Sequence, residues 1–194
     1  MVCAAGGAGL WRGTDGFRAL TSEQARRIDI ARRPRPVPAV ALEDQDGRPF
    51  LLGAYRGRSV AVDFVYTQCQ SVCPLLSAGF QRLDREDRER PTEKRLQLVT
   101  ISFDPARDTP ARLREYAARY GADGDRWRFA RVRDARDLKP LLDAFGIIVI
   151  PDGAGDFQHN AAVHMLNADG KLARVLEVGA RPSDVWRVAA ANNQ

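Results

Sequence analysis

Lysine is nearly missing from this chain. Lys94, Lys139 and Lys171 are the lysines among 30 basic residues, and the remaining positive charge is guanidinium. Histidine is equally scarce, at His159 and His164, so any imidazole chemistry rests on one of two positions. Cysteine appears three times, at Cys3, Cys69 and Cys73, which is too few for a disulfide scaffold. No apolar run approaches the roughly 18 residues that a spanning helix needs. The net charge of +5 does not amount to a nucleic-acid signature. The arginines alternate with acids, as in Arg82-Leu83-Asp84-Arg85-Glu86-Asp87-Arg88, the pattern of a solvated helix face with paired charges. No nucleic-acid motif accompanies them. What remains is a chain of 194 residues, 44% hydrophobic and 28% charged, the size and balance of one well-cored domain.

Periodicity and punctuation order that domain. Thr21 and Gln24 form a capping-box pattern opening a short helix through Ala31. Arg33–Pro38 reads as an extended proline linker. Strands flank the Asp46-Gly47 turn, and the apolar run Val60–Phe64 reads as a buried strand. A helix is expected from about Pro74 to Arg90, and a β-branched central strand over Leu96–Phe103. Thr109 and Pro110 cap and start a helix that stops at Gly121. A strand near Trp127–Ala130, a helix over Ala135–Phe145, a hairpin around Asp169-Gly170 and a helix capped by Ser183 complete the order. Strands alternating with helices, ending in a hairpin and helix, predict an α/β sandwich with a mixed sheet. We find neither an internal repeat nor a second domain. Residues 1–15 read as a flexible N-terminal segment, or the tail of a signal or anchor, and 16–194 as a single domain. Cys3 has too few residues before it for a lipidation signal.

The chemistry concentrates at Thr67-Gln68-Cys69-Gln70-Ser71-Val72-Cys73-Pro74. This segment follows a strand and leads into a helix, whose N-terminal partial charge favours thiolate over thiol. A thiol pair placed so can close a disulfide, exchange electrons or hold a soft metal. The bland alternative is two small core residues. Read as one strand, the segment Gln158–Leu166 would turn His159 and His164 to opposite faces, so that one of them at most points at the cysteine loop. Either histidine alone is more often a hydrogen-bonded structural residue than a ligand.

The C-x-x-x-C-P motif after Val62-Asp63-Phe64-Val65-Tyr66-Thr67 resembles the Sco/SenC family of thioredoxin-like proteins. The stretch Ser102-Phe103-Asp104-Pro105-Ala106-Arg107-Asp108-Thr109-Pro110 is similar to that family's S-x-D-P-x-x-D-T-P segment, and Gly16–Thr21 to an amino-terminal one. The resemblance implies a thioredoxin-like fold: a central mixed sheet flanked by helices, with an added N-terminal segment and hairpin. It implies a copper site of Cys69, Cys73 and His159, since His159, counted back from Gly170, takes the family's histidine position and His164 does not. Copper would be held as Cu(I), with Cu(II) also accessible to an imidazole-bearing site. The implied role is assembly of the dinuclear copper centre of cytochrome c oxidase subunit II, with a further periplasmic copper chaperone as a second partner. The implied place is the periplasmic face of a bacterial inner membrane, reached through an N-terminal anchor absent from these residues. Gln158 stands where the family commonly has Asp, and His164 near a position where it often has tyrosine.

Two other classes stay open. The same cysteines could run thiol–disulfide exchange or a thiol peroxidase cycle, which would make the chain an enzyme. Asp104 and Asp108 could form a partner-docking surface, their alternative being to bound a turn and support the helix at Thr109.

Overall fold

The structure is a computed structural model that describes residues 21–92, 95–153 and 155–191. The expectations for residues 1–15, for Gly16–Leu20 and for Cys3 lie outside them. Ten strands are described: β1 (Arg35–Pro36), β2 (Leu42–Asp44), β3 (Pro49–Phe50), β4 (Val60–Val65), β5 (Gln97–Ser102), β6 (Trp127–Val132), β7 (Val149–Pro151), β8 (Phe157–His159), β9 (Val163–Leu166) and β10 (Lys171–Leu176). The helices are α1 (Ser22–Arg32), α2 (Val72–Asp87), α3 (Pro110–Tyr120), α4 (Leu138–Phe145) and α5 (Pro182–Ala191). Eight strands form one mixed sheet in the order β1-β10-β9-β4-β5-β6-β2-β3, and β7 and β8 pair separately.

β4 pairs in parallel with β5, and β5 with β6. All six residues of β4 and of β5 are buried, because helices cover both faces, as parallel strands require. One face packs Val62 and Phe64 against Ile30 of α1 and Leu141 and Phe145 of α4. The other packs Trp127 and Phe129 against Phe80 of α2, Leu113 and Tyr116 of α3 and Val185 of α5. The C-terminal ends of β4 and β5 therefore open toward one rim, where the cysteine loop sits.

Local signals placed most boundaries. Thr21 and Gln24 make both bonds of the capping box. Thr109 caps α3 with Pro110 in its first turn, and Gly121 ends it with φ of 72°, a left-handed conformation that glycine adopts without steric cost. Four expectations need correction. The proline segment is not only a linker, since Arg35–Pro36 pairs antiparallel with β10. α2 begins at Val72, before Pro74, and takes Cys73 into its first turn. Ala135–Asp137 is a separate 3-10 turn ahead of α4. α5 starts at Pro182 and contains Ser183, because proline fits the first helical turn, where its missing N–H has no intrahelical partner to lose.

His164 and Asp63 are among the polar side chains buried in the core. His164 in β9 packs edge-on against Phe64 and Phe145, with ring centroids at 5.8 and 5.4 Å. Neither ring nitrogen has a hydrogen-bond partner. Burial, reinforced by the nearby Arg26 charge, pushes its pKa down to about 3. Asp63, opposite Thr100 across the β4–β5 pair, is fully buried. Burial lifts it to about 7, the Thr100 hydroxyl partly opposing.

The two shifts have opposite linkage. The folded pKa of His164 is depressed from 6.5, so its contribution is present above that value and is lost as pH falls toward 3. That of Asp63 is raised from 3.8, so its contribution is present below that value and is lost as pH rises toward 7. Between these limits the folded pair carries one proton on Asp63 and the unfolded pair carries one on His164, so the slopes cancel. We predict that Asp63→Asn exposes the histidine slope. Its stability relative to wild type should rise with pH between about pH 4 and 6.5, and His164→Phe should give the reverse trend. Denaturant unfolding across that range checks both, and curves parallel to wild type would contradict the assignment.

Candidate metal centre

The cysteine loop is held from below by a carboxylate. Asp108 accepts from the Thr67 backbone N–H at 3.0 Å, the Thr67 hydroxyl at 2.5 Å and the Ser102 hydroxyl at 2.5 Å. It is 1% exposed and Asp104 is 8% exposed. Asp104 receives the Arg107 guanidinium, and its carbonyl accepts from the N–H groups of Arg107 and Asp108 in a tight turn. Of the two readings of this pair, a docking surface or a turn that supports the helix at Thr109, the contacts are those of the second. Both carboxylates are turned inward to fasten the loop and shape the turn, leaving little of either to a partner.

Cys69 sits just ahead of α2. Ser71 gives that helix no side-chain cap, and the Cys69 sulfur takes the place instead, accepting from the Cys73 N–H at 3.4 Å. The Ser71 hydroxyl lies 3.6 Å from the same sulfur. Burial opposes ionisation of Cys69, but hydrogen bonds from the Cys73 thiol and N–H and from Ser71 outweigh it, holding the thiol below its usual value. Cys73 goes the other way. It is fully buried, and burial together with the neighbouring Cys69 sulfur pushes its thiol well up. The first turn of α2 therefore favours the thiolate at Cys69 and not at Cys73.

His159 arrives from a different layer. It ends β8, where it pairs with Val149 of β7, while His164 belongs to β9 in the main sheet. The two histidines are not on one strand, so alternation is not what separates them; the break at Asn160–Ala162 is. Asn160 braces that break by accepting from the Ile148 N–H at 2.7 Å and donating to the Gly146 carbonyl at 2.8 Å. The His159 Nδ1 lies 3.2 Å from the Asn160 carbonyl. A carbonyl only accepts, so Nδ1 carries the proton and Nε2 is free to bind. Nε2 is 3.5 Å from the Cys73 sulfur. Burial lowers the histidine pKa against the opposing Asn160 carbonyl, which favours the neutral imidazole that ligates metals.

The sulfurs of Cys69 and Cys73 and a ring nitrogen of His159 all lie within 4.8 Å of one another, a cluster among the described residues that could hold a metal ion. Two metal–thiolate bonds of about 2.3 Å would span nearly that distance, so one soft ion fits with slight contraction. Around the cluster stand Phe103, with its ring centroid 4.8 Å from that of His159, Tyr66 at 6.4 Å and Phe157 packed on both. The Tyr66 hydroxyl donates to Asp156. A surface cleft of about 520 Å³ runs beside Cys69, bounded by Gln68, Pro74, Tyr116, Arg119 and Tyr120. Sequence reasoning did not single out Tyr66, Asn160 or Phe157. Each acts through contacts far apart in the chain, and no local spacing announces them.

Comparison with known proteins agrees with this geometry. The chain is 26% identical over 140 residues to the SCO1 protein homolog of Bacillus subtilis, covering 71% of this chain and 72% of that one. A SCO1/SenC family lipoprotein from Bacillus anthracis has the same fold, with a TM-score of 0.74 at 24% identity over 84% of this chain and 99% of the other. The copper-bound structure of Bradyrhizobium japonicum ScoI superposes with a TM-score of 0.68 at 20% identity, covering 81% and 99%. These neighbours establish the thioredoxin-like architecture. The SCO1/SenC family model matches residues 32–191, nearly all of the described domain, and the chain belongs to that family.

Proposed function

We propose that this protein binds copper through Cys69, Cys73 and His159 and serves the assembly of cytochrome c oxidase, delivering copper to, or preparing, the dinuclear centre of subunit II. The convergence of two sulfurs and a free imidazole nitrogen within 4.8 Å carries the reading. Thiolates select Cu(I), and imidazole accepts copper in either oxidation state. The copper-bound ScoI structure supports it from a protein of the same fold. A copper chaperone on the same side of the membrane would be the donor.

Delivery asks for a site that holds its ion and still releases it. Three donors leave a position open to an incoming ligand, and the cleft beside Cys69 gives an acceptor thiol its approach. Exchange then proceeds one donor at a time. The periplasmic placement on an anchor finds support in the lipoprotein neighbour; among the described residues no helix is long and apolar enough to cross a membrane.

Reduced protein should bind one Cu(I) per chain in anaerobic titration, and protein with a Cys69–Cys73 disulfide should bind none. Stoichiometric binding by the disulfide form would defeat the proposal. His159→Ala should weaken Cu(I) binding at least about tenfold, while His164→Phe leaves it within about twofold, because His164 is sealed in the core. Loss of copper in the His164 variant instead would overturn the ligand set. The two sulfurs should also differ in reactivity. Limiting iodoacetamide should label Cys69 well before Cys73, as read by peptide mapping, and equal labelling would refute the asymmetry.

A further inference from the structure

Arg107 reaches both segments that carry the cluster. Its Nε donates to Asp104 within its own turn. Its Nη1 donates to the Gln68 side-chain oxygen at 3.3 Å and to the Gly155 carbonyl at 2.5 Å. The guanidinium carbon also sits 5.0 Å from the centre of the Phe157 ring. Gln68 precedes Cys69 in the chain, and Gly155 and Phe157 lead directly into His159. One planar cation thus ties the thiol loop to the hairpin that presents the imidazole.

We infer that Arg107 is a positioning residue that sets the distance from His159 to the two sulfurs. The cysteines are fixed through the main sheet and Asp108. β7 and β8 are not hydrogen-bonded into that sheet, so the imidazole needs ties of its own. Tyr66, bonded to Asp156, supplies one from the strand side. Arg107 supplies the one that reaches the cysteine loop itself. The planar fork can serve the Asp104 carboxylate, a side-chain amide and a carbonyl at once while its face lies on an aromatic ring, which a lysine ammonium cannot do. The role is distinct from ligation, because the guanidinium touches none of the three donor atoms in any described contact.

The affinity arm of the test rests on the copper reading, and a metal-free arm does not. Cu(I) affinity, measured by competition with bathocuproine disulfonate, should fall about tenfold in Arg107→Ala. In a His159→Ala background the same substitution should change it less than about twofold, since the residue acts through that imidazole. An equal loss in both backgrounds, or none in the first, overturns the inference. Arg107→Lys should behave like the alanine variant, and full recovery by lysine overturns the fork. In the metal-free protein, amide exchange at Phe157, Gln158 and His159 should accelerate in Arg107→Ala while Val99 and Thr100 of β5 keep their protection; unchanged exchange at the hairpin overturns the clamp. Wild-type protein that binds no Cu(I) would instead defeat the proposed function, with the exchange arm still deciding the role of Arg107.

Discussion

The buried carboxylate of Asp108 is the point from which the site is laid out. It gathers two donors from Thr67 and one from Ser102, and so welds the start of the cysteine loop to the end of β5. A buried carboxylate is tolerable only when its oxygens are hydrogen-bonded, and here three donors converge on it. The loop cannot drift without leaving those buried oxygens without donors. The position of Cys69, the start of α2 and the burial of Cys73 all follow. The same turn then delivers Arg107 to the far side of the loop, so the segment that anchors the sulfurs also reaches the hairpin with the imidazole.

A carboxylate of β4 and one in the loop that follows β5 sit in contrasting surroundings. Asp108 accepts three hydrogen bonds from Thr67 and Ser102, whereas Asp63 is sealed away with chiefly the Thr100 hydroxyl to oppose its burial and shifts toward its neutral form. The cysteines repeat the contrast one layer up. Cys69 collects donors at a helix end and Cys73 does not, although the pair shares one turn of chain. Environment at the scale of a single bond, more than residue type, assigns each group its charge.

Much of this was legible in the sequence because it is local. The capping box at Thr21, the Thr109-Pro110 start, the glycine stops and the buried strand before Cys69 depend on neighbours a few residues apart. The motif residues could be named for the same reason. The hairpin of β7 and β8 was not legible: its strands are three residues each, broken by Pro151, Gly153 and Gly155, too short to show alternation. For Asp104 and Asp108 the docking alternative stayed open because burial depends on what packs over a turn, and that comes from distant segments. Arg107 stood within a recognised stretch, yet its partners lie 39 and 48 residues away. His159 was chosen over His164 for its place relative to Gly170, and the strand-alternation argument beside it proved to describe a strand that does not exist.

The sulfur that caps α2 has one further consequence. A helix start satisfied by a serine or aspartate keeps its cap whatever the cell's chemistry. Here the acceptor for the Cys73 N–H is the Cys69 sulfur, whose electron density falls when it is joined to another sulfur or shared with a cation. Every change in the contents of the site therefore reaches the first turn of α2 as a change in how well that turn is held. Leu75, 65% exposed in the same turn, stands on the outside of it. The loaded, empty and oxidised forms of the protein would present that surface with different firmness, so that what the interior carries is legible from without.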